Sequence, residues 1–482
     1  MFRAVPLAAA TLALASCAVG PDYDAPSIEL PDRFLHAQDG TLLNAATELW
    51  WLKLNDPLLA HYVERGNAQN LSIAAALERI RAAEAGLGRV GLNALTNGGL
   101  EVRGTRGPDR LGRIDNQVSG GFNAVYILDV FGGRRRATEQ ALALHEAAQY
   151  DAGVVRLAFL SDITDAYLQA RYFQAAAEIA KSSIRSRRQL VGIAQQLRTA
   201  GATTQLDVEQ ARRLLKSAEA ELPELMAGFE SNVFRLATLL AEAPEPLLEE
   251  MRSSDYQPRP IGFEGAGIPA NLLRNRPDIR AAERQLAAAT AAIGVAEAQL
   301  YPSLSLSGTI TASDSELLGY SDNWSIGPTL NLPILNRGVL DAGRRVAVSE
   351  ARQAELDWRS TVRTAVEEVQ RGLSRTGYLK TQVGKLEETL VYSRRVLELS
   401  RSAYRAQEVV LTEVLDAEIA LSRDRLSLAA AYRDYALAWS QLQVSGGKGW
   451  RAPGFQTDLE REDPHPRRDP LGLSGIFRGG KG

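Results

Sequence analysis

Two periodicities divide the chain. In residues 303–312, Leu304, Leu306, Gly308, Ile310 and Ala312 fall on one side of an extended strand, and Ser305, Ser307, Thr309 and Thr311 on the other. In residues 323–334, Trp324, Ile326, Leu330, Leu332 and Ile334 alternate with Asn323, Ser325, Thr329 and Asn331. The first half carries a weaker copy. Leu100 and Val102 oppose Glu101 and Arg103, while Phe122, Ala124, Tyr126, Leu128 and Val130 oppose Ser119, Asn123 and Asp129. Period-two alternation with one small polar face predicts strands with apolar surroundings on one side and water on the other, the pattern of a membrane barrel. A half-buried hairpin on a soluble sheet would show the same alternation. Polar turns over 107–116 and 313–322 join the strands of each pair.

The rest of the chain reads as helix. Ala-rich segments over 71–92 and 277–300 precede the strand pairs, with Pro277 in a first turn, where its missing N–H costs nothing. After each pair comes a proline-free run, over 134–199 and over 339–404. Each would extend about 100 Å as a helix, and the charges recurring through both predict water-bathed surfaces. A shorter helix follows each across a tight turn. In the first of these, Leu214, Ala218, Leu222, Leu225, Phe229, Val233, Leu236 and Leu240 form one seam of coiled-coil type. Pro223 lies inside that run and should kink it or open its hydrogen-bond ladder.

The two halves repeat. At a single offset of 206 residues Ile73 pairs with Ile279, Gly88 with Gly294, Leu100 with Leu306, Val208 with Val414 and Leu215 with Leu421. A tandem duplication follows, with a first repeat over 71–242 and a second over 270–450. Residues 243–269, rich in Pro and Gly, connect them. Residues 451–482 are polar and Pro-rich and read as a disordered tail.

The strand count constrains the assembly. Four strands cannot close around water, and an open sheet edge cannot sit in lipid, so several chains must share one barrel if these strands cross a membrane. No stretch after the leader reaches 18 uninterrupted apolar residues, which excludes a spanning helix.

Composition narrows the chemistry. The chain has 482 residues and a net charge of −3, which argues against a nucleic-acid binder with a large basic surface. Its four His are scattered, without a partner at metal-ligand spacing. There is no Ser/His/Asp set, and Gly446-Gly447-Lys448 lacks the upstream glycine spacing of a phosphate loop, so no enzyme is expected. The single cysteine, Cys17, follows a basic start and a short apolar run ending Leu14-Ala15-Ser16. Residues 1–16 read as a signal peptide. The site resembles the bacterial lipobox, in which the cysteine thiol receives diacylglycerol. Residues 17–70 then form a lipidated N-terminal segment, and Ala18 resembles the class sorted to the outer membrane.

Several blocks together resemble the TolC-like outer membrane factors, in the lipoprotein, NodT-like branch. They are Cys17 to Tyr23, Trp50-Trp51, Asn55 to Leu59, Asp129 to Gly133, Arg276 to Glu283, Ile293 to Ala296 and Tyr301 to Leu304. The resemblance implies an α+β membrane protein whose three copies share a β-barrel and a long periplasmic α-helical barrel. It implies a passive exit duct for small molecules, drugs or metals, worked through a periplasmic adaptor and an inner-membrane pump, with no cofactor. A type I secretion duct is the alternative. A lipid-held periplasmic coiled coil would have no use for the strands.

The resemblance also implies a gate at the periplasmic turns, near 200–205 and 406–411. Glu413 and Asp416 match two acids that ring the narrowest point, where their charge would favour cations. Both also suit an ordinary first helical turn. Tyr404 matches a tyrosine that helps lock the closed state. Gly201 and Gln407 mark the two turns that would meet the adaptor, and Gln407 replaces the family's glycine. Val409 stands where some members have a basic residue, so the lock would use another arginine, such as Arg405.

Overall fold

The computed structural model describes residues 18–35, 45–93, 97–108, 110–254, 256–261 and 269–451. Cys17, the leader and the tail beyond Arg451 lie outside the described residues. Helices α1 (Pro57–Gln69) and α2 (Leu71–Asn93) lead into strands β1 (Asn97–Pro108) and β2 (Ile114–Leu128). Helices α3 (Gly133–Thr199), α4 (Gln205–Leu240) and α5 (Pro244–Arg252) complete the first half. The second half comprises α6 (Pro269–Asn275), α7 (Pro277–Ala298), β3 (Ser303–Ser315), β4 (Gly319–Asn331), α8 (Arg337–Arg405) and α9 (Leu411–Ser445). The order helix, strand, strand, long helix, helix thus occurs twice.

The strands run longer than the alternation predicts, and the turns are shorter. The segment expected as a turn over 313–322 is mostly strand, because Ser313 pairs its hydroxyl with that of Ser321 at 2.8 Å across the ladder. Hydroxyl-rich strand ends read as loop in the sequence. Leu332 and Ile334 fall beyond β4, which ends at Asn331. Val130 likewise lies past the end of β2. Within the connector, Pro244–Arg252 is helical, with Pro244 in its first turn and Leu247 and Met251 buried. Helix α4 continues on both sides of Pro223, whose ring is exposed.

The helices α3 and α8, of 67 and 69 residues, each extend about 100 Å. They organise a helical layer. Near the sheet the neighbours run α2, α3, α7, α8, and toward the far tip they run α4, α3, α9, α8. Among the described residues, no helix is long and apolar enough to cross a membrane.

The two largest cores hold much of the layer. One gathers Trp50, Trp51, Trp439 and Trp450 with Tyr62, Phe159 and Tyr167, where α1 and α5 form a belt against α3. Here Tyr167 donates its hydroxyl to Asp56 at 2.6 Å, and Arg171 donates to the Met251 carbonyl at 2.9 Å. The second core joins α3, α4, α8 and α9 near the tip, around Leu190, Val208, Leu397, Tyr404, Leu411 and Val414.

Candidate functional site

The two faces of the sheet decide where the molecule sits. Strands β1-β2-β3-β4 pair antiparallel in that order, leaving β1 and β4 as edges. The register stacks Leu100, Phe122, Ile310 and Trp324 in one row, and Leu128, Leu304 and Leu330 in another. Directly opposed residues share a face, so the apolar positions of all four strands form one continuous surface. It is unpartnered: Ile310 is 60% and Trp324 71% exposed. The other face carries rows such as Asn123, Thr309 and Ser325, with the Thr309 and Ser325 hydroxyls 2.8 Å apart. This combination, dry outside and hydroxyl-lined inside, suits a strand with lipid on one side and water on the other.

The junction below the sheet receives the N-terminal strap, residues 18–35. Val19 donates its N–H to the Phe131 carbonyl at 3.1 Å. Arg136, buried, donates to the carbonyls of Val19 and Gly20 and to Asp22 at 2.7 Å. Gly132 adopts φ +75°, and a Cβ there would meet Ala18 Cα at 2.6 Å, so the strap needs glycine beneath it. Tyr23 donates to Glu283 at 3.0 Å, and Phe34 enters a core with Leu272, Ile279 and Trp358. Phe131 stacks on Tyr301 at 4.6 Å beside the strand ends. The sequence marked the strap by family likeness, but not the arginine that seats it.

At the far tip the two turns are the same motif. Ala202 donates to the Leu197 carbonyl and Glu408 to that of Ala403, both five residues back. Gly201 and Gln407 occupy the left-handed position, at φ +76° and +62°. The helices that leave the two turns start differently. Thr204 and Asp207 form a reciprocal capping box, and Asp207 also accepts from the Thr203 hydroxyl at 2.5 Å. Those hydrogen bonds, from the Thr203 and Thr204 hydroxyls and the Thr204 N–H, hold the Asp207 carboxyl below its usual range. Helix α9 starts at Val410, which offers no side-chain cap. Glu413, at the position matching Asp207, is therefore released from capping. Glu413 and Asp416 are both exposed and make no ion pair among the described residues, while Leu411, Val414 and Leu415 beside them are buried.

Tyr404 is buried where the two turns meet, next to Thr203 and Asp207. Burial pushes its phenol up, and its hydroxyl makes no well-formed hydrogen bond. Arg405 is exposed, with no ion pair among the described residues, so within one protomer it does not meet Tyr404 as a lock partner. The structure instead places a buried link higher up. Glu418, 3% exposed, pairs with Arg401 and accepts from the Ser186 hydroxyl at 2.6 Å, joining α9, α8 and α3. No sequence spacing announces it, because the three residues lie far apart and each resembles an ordinary helix-surface residue.

A sheet that is apolar on one face, set on a layer of helices about 100 Å long, defines an outer membrane channel protomer. The family model described as outer membrane efflux protein matches residues 65–242 and 268–448, and the chain belongs to that family. It is similar to nodulation protein T of Rhizobium leguminosarum bv. viciae, 38% identical over 464 residues that cover 94% of this chain and 95% of that protein. It is 30% identical over 474 residues to the solvent efflux pump outer membrane protein SrpC of Pseudomonas putida, covering 93% of this chain and 98% of that one. The solved outer-membrane channel OprN superposes with a TM-score of 0.81 at 30% identity, over 90% of this chain and 100% of that one. The protein is an outer membrane exit duct for efflux, with its helical extension in the periplasm.

Proposed function

We propose that three copies of this chain close into one duct, which releases small molecules delivered by an inner-membrane pump through a periplasmic adaptor. The observation that carries this reading is the pair of open edges. Among the described residues, strands β1 and β4 end the sheet without partners, and an open edge is not tolerated in lipid. The helical layer has matching lateral edges. Met226 and Phe234 on α4, and Val391, Tyr392 and Val396 on α8, are large apolar side chains left exposed in one protomer. Joining edge to edge covers the strands and these side chains together. Solvent efflux, the task of the Pseudomonas putida relative, favours small organic solutes over type I protein secretion as the cargo.

In this reading the turns at Gly201 and Gln407 meet the adaptor, and the Glu413 and Asp416 carboxylates of three copies gather around one axis as the gate. Tyr404 packs the two turns together in the closed state. Cys17 carries lipid. Its neighbour Ala18 is seated at the sheet–helix junction, so the acyl chains enter the membrane beside the strand ends. Light scattering of detergent-extracted protein should give the mass of three chains, and the same preparation should conduct ions in planar bilayers. A stable monomer that conducts would overturn the shared-duct reading.

A further inference from the structure

Where the helical layer meets the sheet, the ends of β2, β3 and β4 and the adjoining ends of α3, α7 and α8 enclose a cavity of about 580 Å³. That is the size of a site for a small organic molecule. Arg134 donates Nη1 to the Ile127 carbonyl at 3.0 Å, which fixes the guanidinium on the cavity wall. Its Nη2 is buried and makes no hydrogen bond among the described residues. Asp129 also lines the cavity, but its carboxylate is engaged in capping α3. It accepts from the Arg134 and Arg135 N–H groups at 3.1 and 3.0 Å. The Ser303 hydroxyl and the Asn331 and Asn336 amides stand on the same wall, without a side-chain hydrogen bond among the described residues. Val295 and Leu340 add apolar surface. A buried guanidinium N–H left unused is costly, and a carboxylate is the partner that satisfies it best.

The side on which the cavity opens decides what reaches it. Ser303 pairs with Asn331 across the ladder, and Ser303 lies two residues from Ser305, so both belong to the hydroxyl-lined face. Ile127 pairs with Ser305 on that same face. The helices agree. A Cβ on Gly20 would meet the Gly294 Cα at 2.5 Å, so the strap crosses α7 at Gly294. Val295 and Gln299, which line the cavity, lie about 100° and 140° further round that helix. The strap, and lipid carried on Cys17, are therefore on the outer side of the junction. The cavity faces the water-filled interior, where a solute in transit passes it and membrane lipid does not.

We infer that this cavity is a luminal binding site for small organic anions in transit, with a carboxylate on Arg134, hydrogen bonds from Ser303 and Asn331, and an apolar body against Val295 and Leu340. The inference rests on the duct reading and deepens it by naming a class of cargo. Three copies of the chain would set three such sites at one level of the duct, at the opposite end of α3 from the acids of the tip.

The test uses full-length protein in detergent, with naphthoate as probe and naphthol as its uncharged counterpart on the same ring. Binding is followed by saturation-transfer NMR, and trimer mass and bilayer conductance are measured on each preparation. Wild type should bind naphthoate in preference to naphthol, and naphthoate should interrupt the bilayer current. Arg134→Gln should weaken naphthoate binding about tenfold or more, as for loss of a charge-assisted hydrogen bond, and leave naphthol unchanged. Arg134→Lys should keep part of the preference. A wild-type trimer that conducts but binds naphthoate no better than naphthol overturns the anion site while leaving the duct intact. So does unchanged naphthoate binding by Arg134→Gln. Should that variant lose its trimer mass, Asn331→Asp decides instead, since it sets a carboxylate on the cavity wall without disturbing the Arg134 contact to Ile127. Weaker naphthoate binding by Asn331→Asp supports the site, and unchanged binding overturns it. A wild type that is neither trimeric nor conducting overturns the duct reading itself.

Discussion

Gln407 carries a backbone conformation that suits glycine better. Its φ of +62° places a Cβ where the left-handed region penalises side chains by about 1–2 kcal/mol. Gln407→Gly should therefore raise the thermal stability of the folded duct by up to about 1 kcal/mol, net of the entropy glycine adds to the unfolded chain. Gly201→Gln should lower it by a similar amount. Asp207 is pH-dependent, because its carboxylate accepts from Thr203 and Thr204 more strongly when ionised. Its folded pKa lies below its unfolded one. The stabilisation is full above the unfolded value, about 3.9, and is lost as pH falls through the folded value. Asp207→Ala should thus cost about 0.5–1.5 kcal/mol at neutral pH, as for a net hydrogen bond, and less once acid has protonated the wild-type carboxyl. Denaturant titrations of both proteins at neutral and acid pH would check the difference.

At the scale of elements, the strap is the piece most open to test. Arg136 is its main polar fastening, with two carbonyls and Asp22 on one guanidinium. Arg136→Ala should free residues 18–24 at a cost of about 2 kcal/mol, read as faster amide exchange at Val19 with little change in the helices. The strands, the long helices and the duplication were legible because each rests on a periodicity or a fixed offset. The offset that pairs Ile73 with Ile279 also pairs Gly201 with Gln407, and the two turns have the same hydrogen bonds. The features that escaped the sequence depend on groups brought together by packing. Asp207 stands at the position that the offset matches to Glu413, and only the structure shows it in a capping box beside Tyr404. The Glu418 link and the strap's arginine are hidden for the same reason: an isolated Arg or Glu on a helix looks the same whether it meets solvent or a distant strand of chain. The hydroxyl-rich strand ends misled in the other direction, since Ser and Asp favour turns locally but here pair across a ladder.

For the whole molecule, the gate proposal makes the sharpest demand. With three copies around an axis, Glu413 and Asp416 would set six carboxylates at the narrowest point. Glu413→Ala/Asp416→Ala should remove the cation preference in planar bilayers and weaken block by multivalent cations. Stability should change by only about 0.3–1 kcal/mol per residue, as for exposed first-turn acids. Unchanged selectivity and block would place the narrowest point elsewhere. A different consequence comes from the seat of Ala18 on Gly132. One residue spans at most about 3.6 Å, so a lipid carried on Cys17 has no slack relative to the strand ends. The anchor then works as a depth gauge rather than a leash. It fixes the inner rim of the sheet to one leaflet, so that in a membrane thicker or thinner than the apolar band the mismatch is taken up at the outer rim, where the short turns of the two hairpins lie.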